Sequence, residues 1–165
     1  MTPPLPAVEA IRTERLVLEP LRIRHADEMA PLLDDERLHE FIGGRPLTAD
    51  QLRARYARLA AGGHNGWFNW VVRCDGGAVG TVQATVKGDA ADVAWVIETA
   101  HQRQGYATEA AKGVVGWLGE HGIRALGAAI HPENHASGAV ARKVGLVPTD
   151  VVDDDGEVRW VSAAP

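Results

Sequence analysis

The sequence predicts an α/β (α+β) sandwich built on a mixed, mostly antiparallel sheet of about six or seven strands flanked by about four helices. Three observations carry that reading. β-Branched and aromatic runs cluster in the middle of the chain with tight-turn residues between them, a long apolar stripe at helical spacing follows, and strands and helices then come in mixed order. With 165 residues and 45% hydrophobic residues the chain can bury a core without disulfides. It reads as one domain over residues 1–165, with residues 1–10 a flexible, proline-containing tail.

The elements follow in order. "RLVLEPL", Arg15 to Leu21, alternates as a strand, and "ADEMAPLLDDERL" reads as a helix with acidic residues in its first turn. Thr48-Ala49-Asp50-Gln51 fits a capping box, which starts a helix over about Ala49–Ala61 that Gly62-Gly63 ends. Its Arg53, Arg55 and Arg58 read as a solvated face. "WFNWVVR" and "AVGTVQATV" flank "CDGG", whose Asp-Gly and Gly-Gly supply the positive φ of a hairpin turn, and "DVAWVIE" adds a third antiparallel strand. In the helix after Gly105, residues Ala107, Ala110, Ala111, Val114, Val115 and Leu118 form one apolar face, and Gly122 supplies the stop. "RALGAAI" is then a short buried strand and "ASGAVARKVG" a helix, and two strands close the chain around "DDDGE".

Composition removes several classes of function. A net charge of −5 argues against broad binding to nucleic acid, and an acidic surface suits a cationic substrate. No run of about 18 apolar residues exists to span a membrane, so a soluble, cytoplasmic protein without membrane partners is expected. The single Cys74 excludes an internal disulfide and a multi-cysteine zinc site. His131 and His135 are separated by Pro132 and lack a third ligand, and "DDDGE" has Val151 where a calcium loop needs Asp, so no metal is expected. The chain also has neither phosphate fingerprint, G-x-G-x-x-G or G-x-x-x-x-G-K-[ST], at a strand-to-helix junction.

The stretch "HQRQGYATEA" places a glycine in a polar turn at a helix start. The first helical turn leaves about four N–H groups unpaired and about half a positive charge there, so the turn is either a purely structural helix entrance or an anion site. Gly105 would let the backbone approach an anion and Ala107 would not block it; Gln102, Arg103, Gln104 and Thr108 could add donors.

Gln102-Arg103-Gln104-Gly105-Tyr106-Ala107 resembles the [QR]-x-x-G-x-[GA] motif of the GNAT superfamily of acetyl-CoA-dependent N-acetyltransferases. "TERLVLEPL", "DVAWVIETAHQRQGYATEA" and "HPENHASGAVARKVGLV" resemble, in order and spacing, the branch that contains ribosomal-protein N-terminal acetyltransferases. The resemblance spans about Thr13 to Val161 and implies acetyl-CoA as cosubstrate, a primary amine as acceptor and no covalent enzyme intermediate. It implies that the amides from Gln102 through Arg103, Gln104, Gly105, Tyr106 and Ala107 to Thr108 hold the coenzyme A pyrophosphate. It also implies a bulge in the preceding strand, with Trp95, Val96 and Ile97 beside the pantetheine arm and an N–H near Val96 or Ile97 for the oxyanion. Asn134 then hydrogen-bonds the arm, and the Ser137 hydroxyl meets the departing thiolate; read without the resemblance, both residues could simply cap the helix that follows.

One departure concerns the proton donor. Relatives carry a tyrosine for the thiolate in that helix region, whereas the two tyrosines here, Tyr56 and Tyr106, lie elsewhere. An alkyl hydroxyl is a far weaker acid than a phenol, so Ser137 could orient the thiolate while water supplies the proton. A peptide α-amine with pKa near 8 is about a tenth neutral at pH 7 and needs little help from a base. Asp92, Glu98, His131 and Glu133 are the base candidates, with Asp92 first because alternation points it to the same face as Ala94 and Val96. The acceptor could be a protein or peptide N-terminus or a small aminoglycoside-like amine, and a non-catalytic acyl-CoA-binding module and a homodimer both stay open. Trp67 and Trp70 could wall the acceptor site or sit in the core.

Overall fold

The computed structural model describes residues 5–42, 44–60 and 65–163. Within them the order is β1 (Ile11–Arg12), β2 (Leu16–Pro20), α1 (His25–Leu33), α2 (Glu36–Ile42), α3 (Ala49–Ala60), β3 (Trp67–Cys74), β4 (Gly77–Lys87) and β5 (Ala90–Ile97). A short 3₁₀ turn at Thr99–His101 leads to α4 (Tyr106–Glu120), β6 (Ala125–Ile130), α5 (His135–Lys143), β7 (Leu146–Val152) and β8 (Val158–Ser162). The strands form one eight-stranded sheet in the order β1-β2-β3-β4-β5-β6-β8-β7, with β5 and β6 its parallel pair.

The sheet thus has one or two strands more than expected, because two-residue β1 adds an edge, and the helices number five. The extra helix comes from the segment read as one. Asp34 leaves the helical region at φ −79, ψ 66, and the Asp35 carboxylate accepts the Arg37 N–H at 2.9 Å, ending α1 and starting α2. The capping box forms as read: Thr48 Oγ1 accepts the Gln51 N–H at 3.2 Å and Gln51 Oε1 accepts the Thr48 N–H at 3.0 Å. The predicted stop at Gly62-Gly63 lies outside the described residues. Asp75 and Gly76, at φ 52 and 83, make the hairpin turn between β3 and β4. Residues 5–10, expected as a tail, instead pack: Leu5 and Val8 lie against the core, and the Glu9 carbonyl accepts the Trp70 indole N–H at 2.7 Å.

Strand alternation sorts the sheet into two faces. Leu16, Leu18, Phe68, Val82, Val93 and Ile97 turn toward α4, which buries Ala110, Ala111, Val114, Trp117 and Leu118. Trp117, absent from the stripe read in the sequence, fills the centre of this layer with its ring 5.2 Å from Phe68 and 5.4 Å from Trp70, while Ala107 and Val115 are half-buried. Trp70 is therefore core, and Trp67 is exposed. α5 continues the same layer over Ala128, Ile130 and Trp160. On the opposite face α1 and α3 cover Leu21 and Val71 through Met29, Leu52 and Tyr56. Elsewhere on that face Asp92, Ala94 and Ala129 are exposed, and Thr81, Gln83, Thr85 and Val96 are half-buried.

Candidate active site

The parallel pair is short. β5 and β6 are in register at Ala90↔Ala125, Ala91↔Leu126 and Asp92↔Gly127, yet β5 runs on to Ile97 and β6 to Ile130. Each keeps its outer partner throughout, β4 as far as Ile97 and β8 as far as Ile130. The strands therefore part after Asp92, and their facing edges carry backbone donors and acceptors without a ladder, which suits an extended ligand entering as an added strand. Trp95, Val96 and Ile97 lie along that edge. The bulge implied for β5 is absent: its pairing with β4 holds one register from Lys87↔Ala90 to Gly80↔Ile97. The two strands lie close together at Gly80, where a Cβ would sit 2.0 Å from the Val96 carbonyl oxygen.

The glycine turn stands at the end of β5. Arg103 at φ 65 and Gly105 at φ 81 are both left-handed, Gly105 is the N-cap of α4, and no side chain caps that helix start. The amides of Tyr106, Ala107 and Thr108 thus begin the helix without a side-chain acceptor. The Gln102 side-chain amide donates 2.9 Å back to the Ile97 carbonyl, tying the turn to the strand. Arg103 and Gln104 are exposed. Tyr106 turns its hydroxyl away to accept from the Cys74 thiol at 3.4 Å, which makes Cys74 a packed thiol.

A clamp from the chain's other end holds this turn, and sequence reading missed it. Arg15 donates from Nη1 to the Gln104 carbonyl at 2.8 Å and from Nε to Glu109 at 2.7 Å, with its guanidinium 4.7 Å from the Tyr106 ring centroid. Glu109 also accepts the Arg15 N–H at 2.8 Å and the Thr13 hydroxyl at 2.5 Å. Burial pushes the Glu109 carboxyl up, but these bonds outweigh it and leave its pKa lowered. The acidic residue in the first turn of α4 is therefore neutralised by Arg15, and the turn keeps its positive end.

On the far side of the opening, Asn134 caps α5 by accepting the Ser137 N–H at 3.2 Å, so the capping reading is what the described contacts show for its carbonyl. Asn134 and the half-buried Ser137 both line a cleft of about 940 Å³ that joins the strand opening to the exposed sheet face. Asp92 lies in that cleft on the face predicted for it, but both its oxygens accept from Arg159, at 2.6 and 2.7 Å. The bridge crosses β6 over Gly127, where a Cβ would be 2.2 Å from Arg159 Nη2 and 2.8 Å from Asp92 Oδ1. Both Asp92 oxygens are thus engaged, and the pair links β5 to β8 where β5 and β6 begin to part.

Of the other base candidates, Glu98 pairs with His101, while the His131 Nδ1 accepts the Glu133 N–H at 3.1 Å and its ring packs 5.2 Å from Phe41. His131 lines the cleft beside Glu157, a carboxylate the sequence did not point to, whose pKa is raised by burial and by Asp153 and Asp155. "DDDGE" is the turn between β7 and β8, with Asp153 Oδ1 accepting the Asp155 and Glu157 N–H groups at 3.0 and 2.9 Å. The Asp153, Asp155 and Glu157 oxygens lie within 4.8 Å of one another there. Arg55, read as part of a solvated face, is exposed and also lines the cleft, whereas Arg53 pairs with Asp27 and Asp50.

A parallel pair parted beside an uncapped glycine turn, with a polar cleft on the open face, defines a coenzyme A-dependent acyltransferase. Residues 15–147 match the Acetyltransferase (GNAT) domain, and the chain belongs to the GNAT family of acetyl-CoA-dependent acetyltransferases. Its fold is similar to that of a GNAT acetyltransferase from Bacillus anthracis, with TM-score 0.81 and 19% identity over 93% of this chain and 97% of the other. It is similar to the ribosomal L7/L12 alpha-N-protein acetyltransferase RimL in complex with coenzyme A, with TM-score 0.82 and 17% identity over 93% and 94%. It also resembles the Salmonella typhimurium acetyltransferase that modifies the N-terminal serine of 50S subunit protein L7/L12, with TM-score 0.78 and 16% identity over 93% and 96%. No curated protein matches the sequence. No helix among the described residues is long and apolar enough to cross a membrane.

Proposed function

We propose that this chain acetylates the α-amine of a protein or peptide, taking the acetyl group directly from acetyl-CoA. The observation that carries the reading is the parting of β5 from β6 after Asp92↔Gly127, next to the left-handed turn that opens α4. The amides from Gln102 to Thr108 hold the pyrophosphate, and the pantetheine arm runs along the free edge of β5 past Ile97, Val96 and Trp95. The side-chain NH₂ of Asn134 donates to the arm, its carbonyl already serving the Ser137 N–H. Coenzyme A bound there supplies the activated thioester.

The amine enters from the open sheet face. Its nitrogen lone pair attacks the thioester carbonyl, the new C–N bond forms, and the carbonyl electrons move to an oxygen stabilised by a β5 N–H near Val96 or Ile97. The C–S bond then breaks, the nitrogen loses its proton, and the thiolate takes one, giving an amide and a free thiol. Asp92 keeps its oxygens on Arg159, so proton removal passes to water, which suffices for an α-amine about a tenth neutral at pH 7. Ser137 orients the departing sulfur. The similarity to α-N-protein acetyltransferases supports the α-amine as acceptor.

The test is turnover of acetyl-CoA with peptides and small amines, read by thiol release and by tandem mass spectrometry of the product. Acetylation at a peptide α-amine, with no acetyl group on the enzyme in intact mass, supports the reading. Coenzyme A binding without turnover of any amine would sink it.

A further inference from the structure

The acceptor side of the cleft carries a charge opposite to that of the whole chain. The chain is −5 overall, and its acidic surface suggested a cationic acceptor. In the cleft, however, Asp92 and Arg159 neutralise each other, and Glu157 is the carboxylate that remains. Arg45, before α3, Arg55, on α3, and Lys87, at the end of β4, all line the same cleft, are exposed, and form no ion pair among the described residues. Three cations and one carboxylate thus line the cleft beyond that pair, with Asp153 and Asp155 beside Glu157 but outside the lining. Uncharged polar side chains line it as well: Thr81, Gln83 and Thr85 of β4, paired in register with Val96, Ala94 and Asp92.

A second observation points the same way. Tyr56 on α3 lines this cleft, is 3% exposed, and its hydroxyl has no hydrogen-bond partner among the described residues. Burial pushes the phenol up to about 12, so it is a proton donor throughout the neutral range. A buried donor without an acceptor is costly, and an acceptor oxygen from a ligand relieves that cost.

We infer that the acetyl acceptor is anionic: a peptide whose free α-amine is followed by acidic side chains, with its carboxylates on Arg45, Arg55 and Lys87 and an oxygen on the Tyr56 hydroxyl. This rests on the acetyl-transfer reading and adds the class of acceptor to it. An aminoglycoside or polyamine would bring several ammonium groups against three cations, and the cleft disfavours it. The separation of roles is physical: the amine meets the thioester where the sheet parts, while the carboxylates meet the cations that line the outer cleft.

The test compares two peptides with the same N-terminal residue, one continuing in Asp and Glu and the other in Lys and Arg, alongside a small carboxylate-bearing amine and an aminoglycoside. Turnover is read by thiol release, and binding of labelled peptides to the enzyme with coenzyme A is read separately by fluorescence anisotropy. The acidic peptide is expected to show kcat/KM at least about ten-fold above the basic one, falling as salt rises. Arg45→Gln and Arg55→Gln each raise its KM about five-fold with the effect on KM and not kcat, and Tyr56→Phe does the same without a salt dependence. Better turnover or tighter binding of the basic peptide or the aminoglycoside overturns the inference and leaves acetyl transfer intact. So does an acidic-peptide KM indifferent to both arginines, and preference for the small carboxylate amine over every peptide overturns the peptide as source. If no amine is acetylated, acetyl transfer fails, and the anisotropy titration still decides which charge the cleft accepts.

Discussion

Replacing Gly80 by Ala tests whether β5 is held at the acetyl site proposed for it. The new Cβ would be 2.0 Å from the Val96 carbonyl oxygen and 3.0 Å from both Cα and Cδ1 of Ile97. Two of these are backbone atoms of a strand paired along its length, so relief requires β5 to retreat by about 1 Å and the ladder around Gly80↔Ile97 to open. Overpacking of this kind costs about 1–3 kcal/mol and a lost ladder bond about 1 kcal/mol more, giving about 2–4 kcal/mol in all. For a chain of this size that lowers Tm by about 5–15 °C. Gly127→Ala is the control, because its Cβ is equally close at 2.2 Å but to Arg159 Nη2, the mobile end of a side chain. The guanidinium swings aside, and only a half-exposed ion pair is lost, about 0.5–1 kcal/mol or about 1–4 °C. Thermal unfolding and kcat with acetyl-CoA measure both: Gly80→Ala loses stability and kcat together, and Gly127→Ala loses little of either. Equal losses in the two variants, or a Gly80→Ala protein as stable as the parent, would refute the reasoning.

Arg15→Gln and Glu109→Gln each free the glycine turn and weaken coenzyme A binding about five- to twenty-fold by calorimetry; the double variant is no weaker than Arg15→Gln alone, because the two act as one clamp. Asn134→Ala removes the cap of α5 and costs about 1 kcal/mol in urea unfolding. Ser137→Ala keeps the capped amide, so it retains that stability, and a kcat drop of about ten-fold would place its hydroxyl on the sulfur. Glu19 accepts from the buried His25 at 2.6 Å and from Arg73 at 2.8 Å, bonds that lower its pKa from 4.5 to about 2. Its contribution to stability is therefore complete above pH 4.5 and disappears as pH falls toward 2; urea midpoints of Glu19→Gln should vary less over that window than those of the parent.

Local chemistry was legible wherever one segment decides it. The Thr48–Gln51 box and the Asp75-Gly76 turn are each set by a few adjacent residues, and both formed as read. What escaped depends on partners far apart in the chain. Arg15 and Glu109 are 94 residues apart, and Asp92 and Arg159 are 67 apart, so no period or motif links them. The same distance effect changed the meaning of single residues. Asp92 points where alternation put it, but its partner arrives from β8; Gln102 sits in the motif, but its side chain turns back to Ile97. Trp117 was missed because a helical stripe of small residues hid the one large ring among them. Net charge misled most, since a sum over 165 residues does not report the sign of one cleft.

The claim that the turn at Gly105 holds the coenzyme A pyrophosphate is tested most directly by calorimetry of coenzyme A with Gly105→Ala and Gly105→Glu. Both place a side chain at φ 81 with its Cβ 3.2 Å from Arg15 Nη2, so they share the backbone strain of about 1–2 kcal/mol and differ in charge. The account predicts that Gly105→Glu binds coenzyme A at least about ten-fold more weakly than Gly105→Ala at similar Tm, because a carboxylate then stands where the phosphates must be. Equal affinity in the two variants would contradict it.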